Sequence, residues 1–548
     1  MVPRISFKDH SFFICALLLI ALWLIHPKPY IASDPGSYSL LAFKISDGSF
    51  FTHPPAGHFA QRLGVTLPVA ACYTLFGVNP ITTHLYLLLV AVGTLYLIWR
   101  LSDGPAKYPA CLLFALSLPQ YSCSVALLPD AVVSGYMLLA AASLLHRGPD
   151  SKSPLYLPLL AIISLLMAFS AKESAYWILP VWMILFARDL YHKRYKLMTR
   201  FYLPCFLWGM FFALVFLLVS YWIWHNPLIR FGQLHRWSDL VQNQSWAWSH
   251  KSGELFYRLS LGPVVQLARD YGPVFALSVG GSILLFPKMR FWILCLVSCL
   301  TLYWFGSSSL SHYEPLILHS RYILPALPFM CIIAGRFLSE ILAGSGLTIK
   351  VSWQSSLALL LPLLILGIGL MGKSFDSISF LLSVDIFFLV VIYCLSFSKT
   401  PRSVVAHMAI ILMLSMPLLN YFRYMAHRDL NAEKKCVDIL RGIVDRNDRK
   451  LLLLCSDIRS PNAVRYYFGY RVPENLTVKF FGEQTPLDEK DRRVYYYIHS
   501  DRSRYLKKSK SIANYDAMIL ERLTEKVVYN REGIYLIEGK QEIQQINN

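Results

Sequence analysis

A polytopic α-helical membrane protein of about thirteen spans, ending in a small α/β domain, is predicted by three observations. Apolar residues make up 55% of the 548-residue chain and charged residues only 16%, against about 25% charged in soluble domains. The apolar residues fall in blocks of roughly 17–25, the length that crosses a bilayer. From about Arg423 onward the blocks stop, and residues 423–548 carry 24 Lys/Arg and 18 Asp/Glu. A soluble cytoplasmic enzyme is thereby excluded. The eleven cysteines include no Cys-x-x-Cys pair, which argues against a zinc ribbon or a disulfide scaffold.

The spans are predicted to begin near Phe12, Ile81, Tyr108, Ala131, Pro154, Ala175, Leu203, Tyr271, Phe291, Tyr322, Trp353, Ile378 and Val404. Prolines inside several of them are compatible with a bundle, where neighbouring helices satisfy the freed carbonyls. Phe12 to Ile25 reads as a retained first span without a small-residue cleavage site. With the N-terminus inside, the connections facing the cytoplasm hold 17 Lys/Arg and 5 Asp/Glu, whereas the outer ones hold 11 and 9. The run Arg188, Lys193, Arg194, Lys196, Arg200 is the strongest single retention signal and falls inside. An odd number of spans places the C-terminus outside. The net charge of +19 is therefore largely a matter of topology, and no nucleic-acid partner is expected.

Two domains follow: a membrane domain over 1–422, with long outer loops at 27–80 and 226–270, and a soluble extracytoplasmic domain over 423–548. In the latter, a helical stretch near 429–447 leads to 451-LLLLCSDI-458 as a buried strand and 461-PNAVRYYFGY-470 as a helix. Further strands are expected at 478–481 and 493–498, then at 526–530 and 533–538, with a hairpin turn at Arg531-Glu532-Gly533. This domain either recognises substrate or braces the outer loops. In the first loop, 63-LGVTLPVAACYTLFG-77 reads as an amphipathic segment lying along the membrane surface.

Ionisable residues near membrane depth are costly and generally face a cavity. Here they gather on the outer side: Asp34 in the first loop; Asp130 at the start of the fourth span; Lys172 and Glu173 between the fifth and sixth; and His312, Glu314, His319 and Arg321 at the mouth of the tenth. His53 and His58 lie in the first loop. Trp246 lies in the second, where its alternation with polar residues fits either an interface belt or substrate contact. Asp385, inside the twelfth span, has no assignment.

The order of these features resembles GT-C-type integral-membrane glycosyltransferases. It is closest to the glycosyltransferase family 39-like group of protein O-mannosyltransferases and lipid A aminoarabinose transferases. The features that carry it are Asp34 in a large first outer loop, then His53-Pro54-Pro55 and an amphipathic segment, Asp130 opening a span, the Lys172-Glu173 pair and 321-RYILPALP-328. The chain departs from that pattern in having Asp34-Pro35 where such families often have Asp-Glu, and His53-Pro54-Pro55 where the lipid A branch tends to have Glu-Lys. These departures bear on the acceptor more than on the reaction. The resemblance implies a polyprenyl-phosphate-linked sugar as donor and a lipid, glycan or protein as acceptor. It also implies membrane lipids as surroundings and an active face on the periplasmic side of a bacterial inner membrane. A monomer is expected.

Such a transfer needs a carboxylate within reach of the acceptor hydroxyl and cations for the phosphate that leaves. Asp34 is the candidate base, held in a tight turn by Pro35-Gly36; the alternative is that the turn alone requires aspartate. Arg321 and Lys172 are the candidate phosphate ligands. Arg321 could instead anchor a helix end, and Lys172 could be neutralised by Glu173. Asp130 either orients the acceptor or a basic neighbour, or caps its helix. Glu173, His53, His58, Trp246, Glu314 and Tyr322 are further candidates for substrate contact. A divalent metal ion is possible, with His53, His312 and His319 as weak candidate ligands, but no diagnostic metal spacing is present. A lipid-linked glycan polymerase or ligase would share this outer active face. A transporter or flippase would need polar residues along a path to both faces and paired broken helices, which the hydropathy does not show.

The charge asymmetry yields a direct expectation: Lys193 and Arg194 face the cytoplasm, whereas Asp34, Trp246 and residues 423–548 face the other side. Single cysteines introduced in a background without native thiols, then labelled with an impermeant reagent, check it. Labelling from the cytoplasmic side at position 246 or 500 would overturn the outer active face.

Overall fold

Helices of mostly apolar sequence are broken where proline, glycine or charge interrupts them, and this punctuation organises the computed structural model of the chain. It describes residues 10–26, 34–55, 57–147, 156–233, 252–307, 313, 315–342, 432–447, 449–455, 460–480, 493–499, 527–531 and 534–539. The chain divides into two units, one of Met1–Ile25, Phe51–Val65 and Leu87–Tyr421, the other of His26–Phe50, Thr66–Tyr86 and Phe422–Asn548.

The described helices include α1 (Ser11–Ile25), α2 (Asp34–Ser46), α3 (Leu63–Phe76), α4 (Pro80–Leu101), α5 (Lys107–Ala115), α6 (Leu118–Val125), α7 (Pro129–Leu145) and α8 (Tyr156–Ala171). They continue with α9 (Leu179–Tyr191), α10 (Leu203–Trp224), α11 (Ser252–Leu259), α12 (Gly262–Leu284), α13 (Phe286–Phe305), α14 (Ser320–Ile323) and α15 (Leu327–Leu342). Among the described residues, four stretches are long and apolar enough to cross a membrane: Pro80–Leu101, Tyr195–Trp224, Phe286–Phe305 and Ser320–Glu340. A fifth is added if α6 and α7, bent by 119° to each other, count as one. Along α10, Phe206, Leu207, Met210, Phe211, Leu214, Leu218 and Trp222 are all exposed. Such an apolar surface on a 22-residue helix is stable only in a nonaqueous surrounding. The spans expected from Trp353, Ile378 and Val404, with Asp385, lie outside the described residues.

Several expected spans are differently built. The one from Tyr108 is divided into α5 and α6, because Ser117 is extended and Pro119 starts a new helix. The α6–α7 bend is a broken pair that hydropathy alone concealed. Leu127 sits inside it in the left-handed region (φ 49°) and is fully buried. A branched side chain holds that conformation only where its surroundings over-determine it. The eighth span starts at Gly262, so Arg269 and Asp270, expected in the outer loop, lie within α12. The segment 63–77 forms α3, but Leu67, Leu75 and Phe76 are exposed on it, so it is apolar on its outward face as well.

Within the first unit, close helix approaches rely on small residues. A Cβ on Gly335 of α15 would lie 2.5–2.7 Å from Ala110 of α5, and one on Gly64 would lie 2.6 Å from the Ala171 nitrogen at the end of α8. Packing through glycine substitutes for the hydrophobic drive that lipid does not supply between helices. On the side expected to be cytoplasmic, fully buried Asp189 accepts from Arg147 at 3.0 Å, Arg188 at 3.2 Å, Arg194 at 3.3 Å and the Tyr202 hydroxyl at 3.0 Å. Two cations of the strongest retention run are thus also structural.

In the second unit, α16 (Ala432–Asp445) and α17 (Ser460–Tyr467) accompany a five-stranded sheet of order β2-β1-β3-β5-β4. The strands are β1 (Leu451–Cys455), β2 (Leu476–Phe480), β3 (Arg493–His499), β4 (Val527–Arg531) and β5 (Ile534–Gly539). β1 runs parallel to β2 and β3, and β3 runs antiparallel to β5. The β4–β5 hairpin pairs Arg531 with Ile534 and is irregular between Val527 and Tyr529. Alternation sets the faces: Leu451, Leu453 and Cys455 pack with Cys436, Val437 and Leu440 of α16, whereas Leu452 and Leu454 pack with Tyr496 and Ile498 on the reverse. Tyr497 donates to Glu433 at 2.8 Å, which satisfies a carboxylate buried at the start of α16.

Candidate functional site

Asp130 stands in the first turn of α7, after the bend and behind Pro129. Leu128 occupies the cap position and no side chain caps the helix, so the capping alternative for Asp130 does not hold. Its carboxylate, 1% exposed, instead accepts from the Lys172 ammonium through Oδ1. Oδ2 is buried and has no hydrogen-bond partner among the described residues. A carboxylate oxygen left so is costly and is open to a ligand hydroxyl or proton.

Lys172 lies where α8 ends, with an extended backbone (φ −162°, ψ 152°) ahead of a 3₁₀ turn over Glu173–Ile178. That extension turns successive side chains to opposite sides. Lys172 reaches Asp130, while Glu173 takes two other cations: Arg230 at 3.0 Å and Arg62 at 3.4 Å. Neutralisation of Lys172 by its neighbour, the simplest reading of the dipeptide, is not what occurs. Arg230 is 2% exposed, also donates to the Phe169 and Gln61 carbonyls, and lies over the Phe169 ring at 4.3 Å. Burial by itself would raise the Glu173 pKa, but Arg62 and Arg230 outweigh it and hold the group down at about 2.

The Lys172 ammonium also sits 3.9 Å from the centre of the Tyr322 ring, and the Arg321 guanidinium lies 5.1 Å from the same ring. Arg321 donates to the Tyr322 hydroxyl at 3.2 Å. Its own backbone N–H is capped by His319 Nδ1 at 3.3 Å. Two further contacts fix this mouth. Tyr271 of α12 donates to the Ser320 carbonyl at 2.7 Å. Buried Arg258 donates to the carbonyls of Leu316, Tyr303 and Trp304, at 2.6, 2.7 and 3.1 Å, and so closes the C-terminal end of α13. Asp130, Lys172, Arg321 and Asp270 all act electrostatically on His319.

The structure therefore brings together Asp130, Lys172, Arg321, Tyr322 and His319 in the first unit, and gives Glu173 to a separate cluster. Arg62, Arg230, Arg258 and Asp270 were not singled out from the sequence, although all four stand in the two long outer loops expected at 27–80 and 226–270. His53 is exposed and meets the Thr52 hydroxyl at 3.2 Å; the His58 ring lies tilted by 40° against Phe59, with ring centres 3.8 Å apart. Trp246, His312 and Glu314 lie outside the described residues. Among the described residues no three His, Cys, Asp or Glu side chains form a group able to hold a metal ion.

Asp34 belongs to the second unit. It is not in a tight turn: it is the first residue of α2, and Pro35, whose fixed φ suits a first helical turn, continues the helix. Asp34 is half-buried, and Pro35 and Gly36 behind it are buried.

The Glu173 cluster has a pH signature. A carboxylate lowered from 4.5 to about 2 on folding contributes stability that is full above about pH 4.5 and is lost as pH falls towards 2, roughly 3 kcal/mol in all. Glu173→Gln should therefore melt below the parent in detergent at pH 7, with the gap narrowing as pH falls from about 4.5 towards 2. A gap that stays constant over that range would remove the ion pairs as its cause.

No protein-family model matches the chain, and no curated protein matches it. Among solved structures it is similar to ArnT from Cupriavidus metallidurans in the apo state, at 14% identity and a TM-score of 0.54, over 96% of this chain and 97% of that one. The same protein bound to undecaprenyl phosphate gives 14% identity and a TM-score of 0.52, over 97% and 98%. A likeness so low in identity and so complete in coverage is one of fold. The resemblance read from the order of the motifs, to the lipid A aminoarabinose transferase branch of the GT-C type, holds for the fold of nearly the whole chain.

Proposed function

We propose that this protein is a polyprenyl-phosphate-sugar-dependent glycosyltransferase of a bacterial inner membrane, acting at the extracytoplasmic face on a lipid, glycan or protein acceptor. The observation that carries this reading is the sharing of Tyr322 by Lys172 and Arg321, beside a buried carboxylate with an open oxygen. Two cations held together at a helix mouth suit a lipid phosphate. The fold likeness to a protein solved with undecaprenyl phosphate supports it.

In this reading the acceptor hydroxyl attacks the anomeric carbon of the donor sugar while the bond from that carbon to the phosphate oxygen breaks. The hydroxyl proton goes to Asp34. The bonding pair leaves with the polyprenyl phosphate, whose added charge Lys172 and Arg321 meet. The open oxygen of Asp130 orients a hydroxyl, and its other oxygen keeps Lys172 in place. His53, His58, Trp246 and Glu314 are proposed as contacts to the sugar or acceptor, and Glu173 as a structural anion. Residues 423–548 are assigned to the extracytoplasmic side. The α6–α7 break is a feature that transporters share; a glycosylated product from purified protein and a polyprenyl-phosphate sugar, identified by mass spectrometry, separates the two activities.

Asp34→Asn is expected to retain folding and donor binding while turnover falls by about 10²–10⁴-fold; near-parental turnover in a well-folded variant would exclude the base role. Arg321→Lys separates a phosphate ligand from a membrane anchor. Lysine keeps the charge and the reach to the interface but loses the planar fork. Losing one charge-assisted hydrogen bond predicts about 10- to 100-fold weaker binding of a polyprenyl phosphate, with Arg321→Ala weaker again. Equal affinities for the three forms would take Arg321 out of the site.

A further inference from the structure

The second unit holds a chain of hydroxyl contacts that reaches the helix bearing Asp34. Tyr470 donates to the Ser39 hydroxyl of α2 at 3.0 Å, and Ser39 meets the Tyr73 hydroxyl of α3 at 2.8 Å. Tyr73 meets Thr83 of α4 at 2.9 Å, and Thr83 meets the Tyr466 hydroxyl of α17 at 3.0 Å. The circuit closes through the edge-on contact of the Tyr466 and Tyr470 rings at 5.9 Å. The Tyr470 ring also stacks on Phe43, one turn beyond Ser39 on α2, at 4.9 Å. Tyr466, Tyr73 and Ser39 are buried, so these contacts are made out of competition with water.

The backbone is bent to make them. After α17 ends, Gly469 takes φ 67° and Tyr470 takes φ 60°. Glycine takes the left-handed region freely, but a bulky aromatic residue does so only when its contacts require it. A tyrosine in that conformation, satisfied at both ring and hydroxyl by α2, is the mark of a residue whose placement is used.

We infer that Tyr466 and Tyr470 of the C-terminal α/β region are positioning residues for Asp34, so that this region completes the catalytic helix rather than serving as an accessory domain. The inference rests on the reading of Asp34 as the base. Asp34 opens α2, with Ser39 and Phe43 on the same 13-residue helix. A helix held at those two positions transmits any change at Tyr470 to its first turn as a rigid displacement, and small displacements of a catalytic group are costly in rate.

The test uses the full-length protein in detergent, with turnover, donor KM and polyprenyl phosphate binding as readouts. Tyr470→Phe keeps the ring stacking and removes only the hydroxyl; Ser39→Ala removes the same contact from the α2 side and stands in for it if Tyr470→Phe folds poorly. Each is expected to lower kcat by roughly 10-fold while donor KM and phosphate binding stay within twofold of the parent. In an Asp34→Asn background the same substitutions should cost no further turnover, because the group they position is already gone. An equal loss in both backgrounds, or a loss carried by KM, would make the tyrosines merely structural and overturn the inference. Parental kcat for both variants alongside an inactive Asp34→Asn would overturn the inference alone. An active Asp34→Asn would overturn the base reading and the inference together.

Discussion

Removing a charge from water costs several kcal/mol unless another charge or a full set of hydrogen bonds replaces the solvent, and the first unit is organised by how that cost is met. Asp189 is met by three arginines and a tyrosine, Glu173 by Arg62 and Arg230, Arg258 by three carbonyls, and Asp130 by Lys172. Among the described residues, the Asp189 and Arg258 arrangements leave no buried polar atom of either side chain without a partner. At Asp130, by contrast, one buried carboxylate oxygen finds no hydrogen-bond partner among the described residues, while Lys172 and Arg321 both lie against the Tyr322 ring. A polar cluster that leaves part of its hydrogen-bonding capacity open is where a ligand gains most by arriving.

That difference depends on backbone irregularity. The bend at Leu127 places Asp130 at a helix start rather than along a helix side, and the extended residue at Lys172 parts it from Glu173. Neither feature would survive in two continuous spans, where Asp130 would face lipid or a helix neighbour. The irregular segments are held in turn by close contacts, such as Gly64 against the end of α8 and Arg258 across the end of α13. Regular helices supply rigidity and broken ones supply chemistry, consistent with irregular backbone at membrane depth being tolerated only inside protein or beside a cavity.

The C-terminal α/β region follows different physics. Its sheet is held by burial of alternating faces, and its charged surface contrasts with the lipophilic surface of α10. The contacts from Tyr466 of α17 to α4, and from Tyr470 just beyond it to α2, are made of neutral hydroxyls and aromatic rings. Neutral groups cost less to bury than ions and still fix geometry through direction.

Much of this was legible in sequence. Composition and block length settled the membrane class, because a bilayer imposes both on any chain that crosses it. Strand positions in 451–538 were read from short apolar and aromatic runs such as 451-LLLLCSDI-458, and Asp130, Lys172, Arg321 and Tyr322 were singled out because polar residues at membrane depth are rare enough to be conspicuous. The partners were not legible. Lys172 lies beside Glu173 in the chain yet pairs with Asp130 42 residues away, while Glu173 pairs with Arg230 at a separation of 57 and Arg62 at 111. Hydropathy reports the average environment of a segment, whereas an ion pair depends on the direction of single side chains from segments remote in sequence. The helical setting of Asp34 was not legible because Asp34-Pro35 suits a tight turn and a first helical turn alike, and the left-handed Leu127 and Tyr470 are conformations that the sequence does not favour and that tertiary contacts impose.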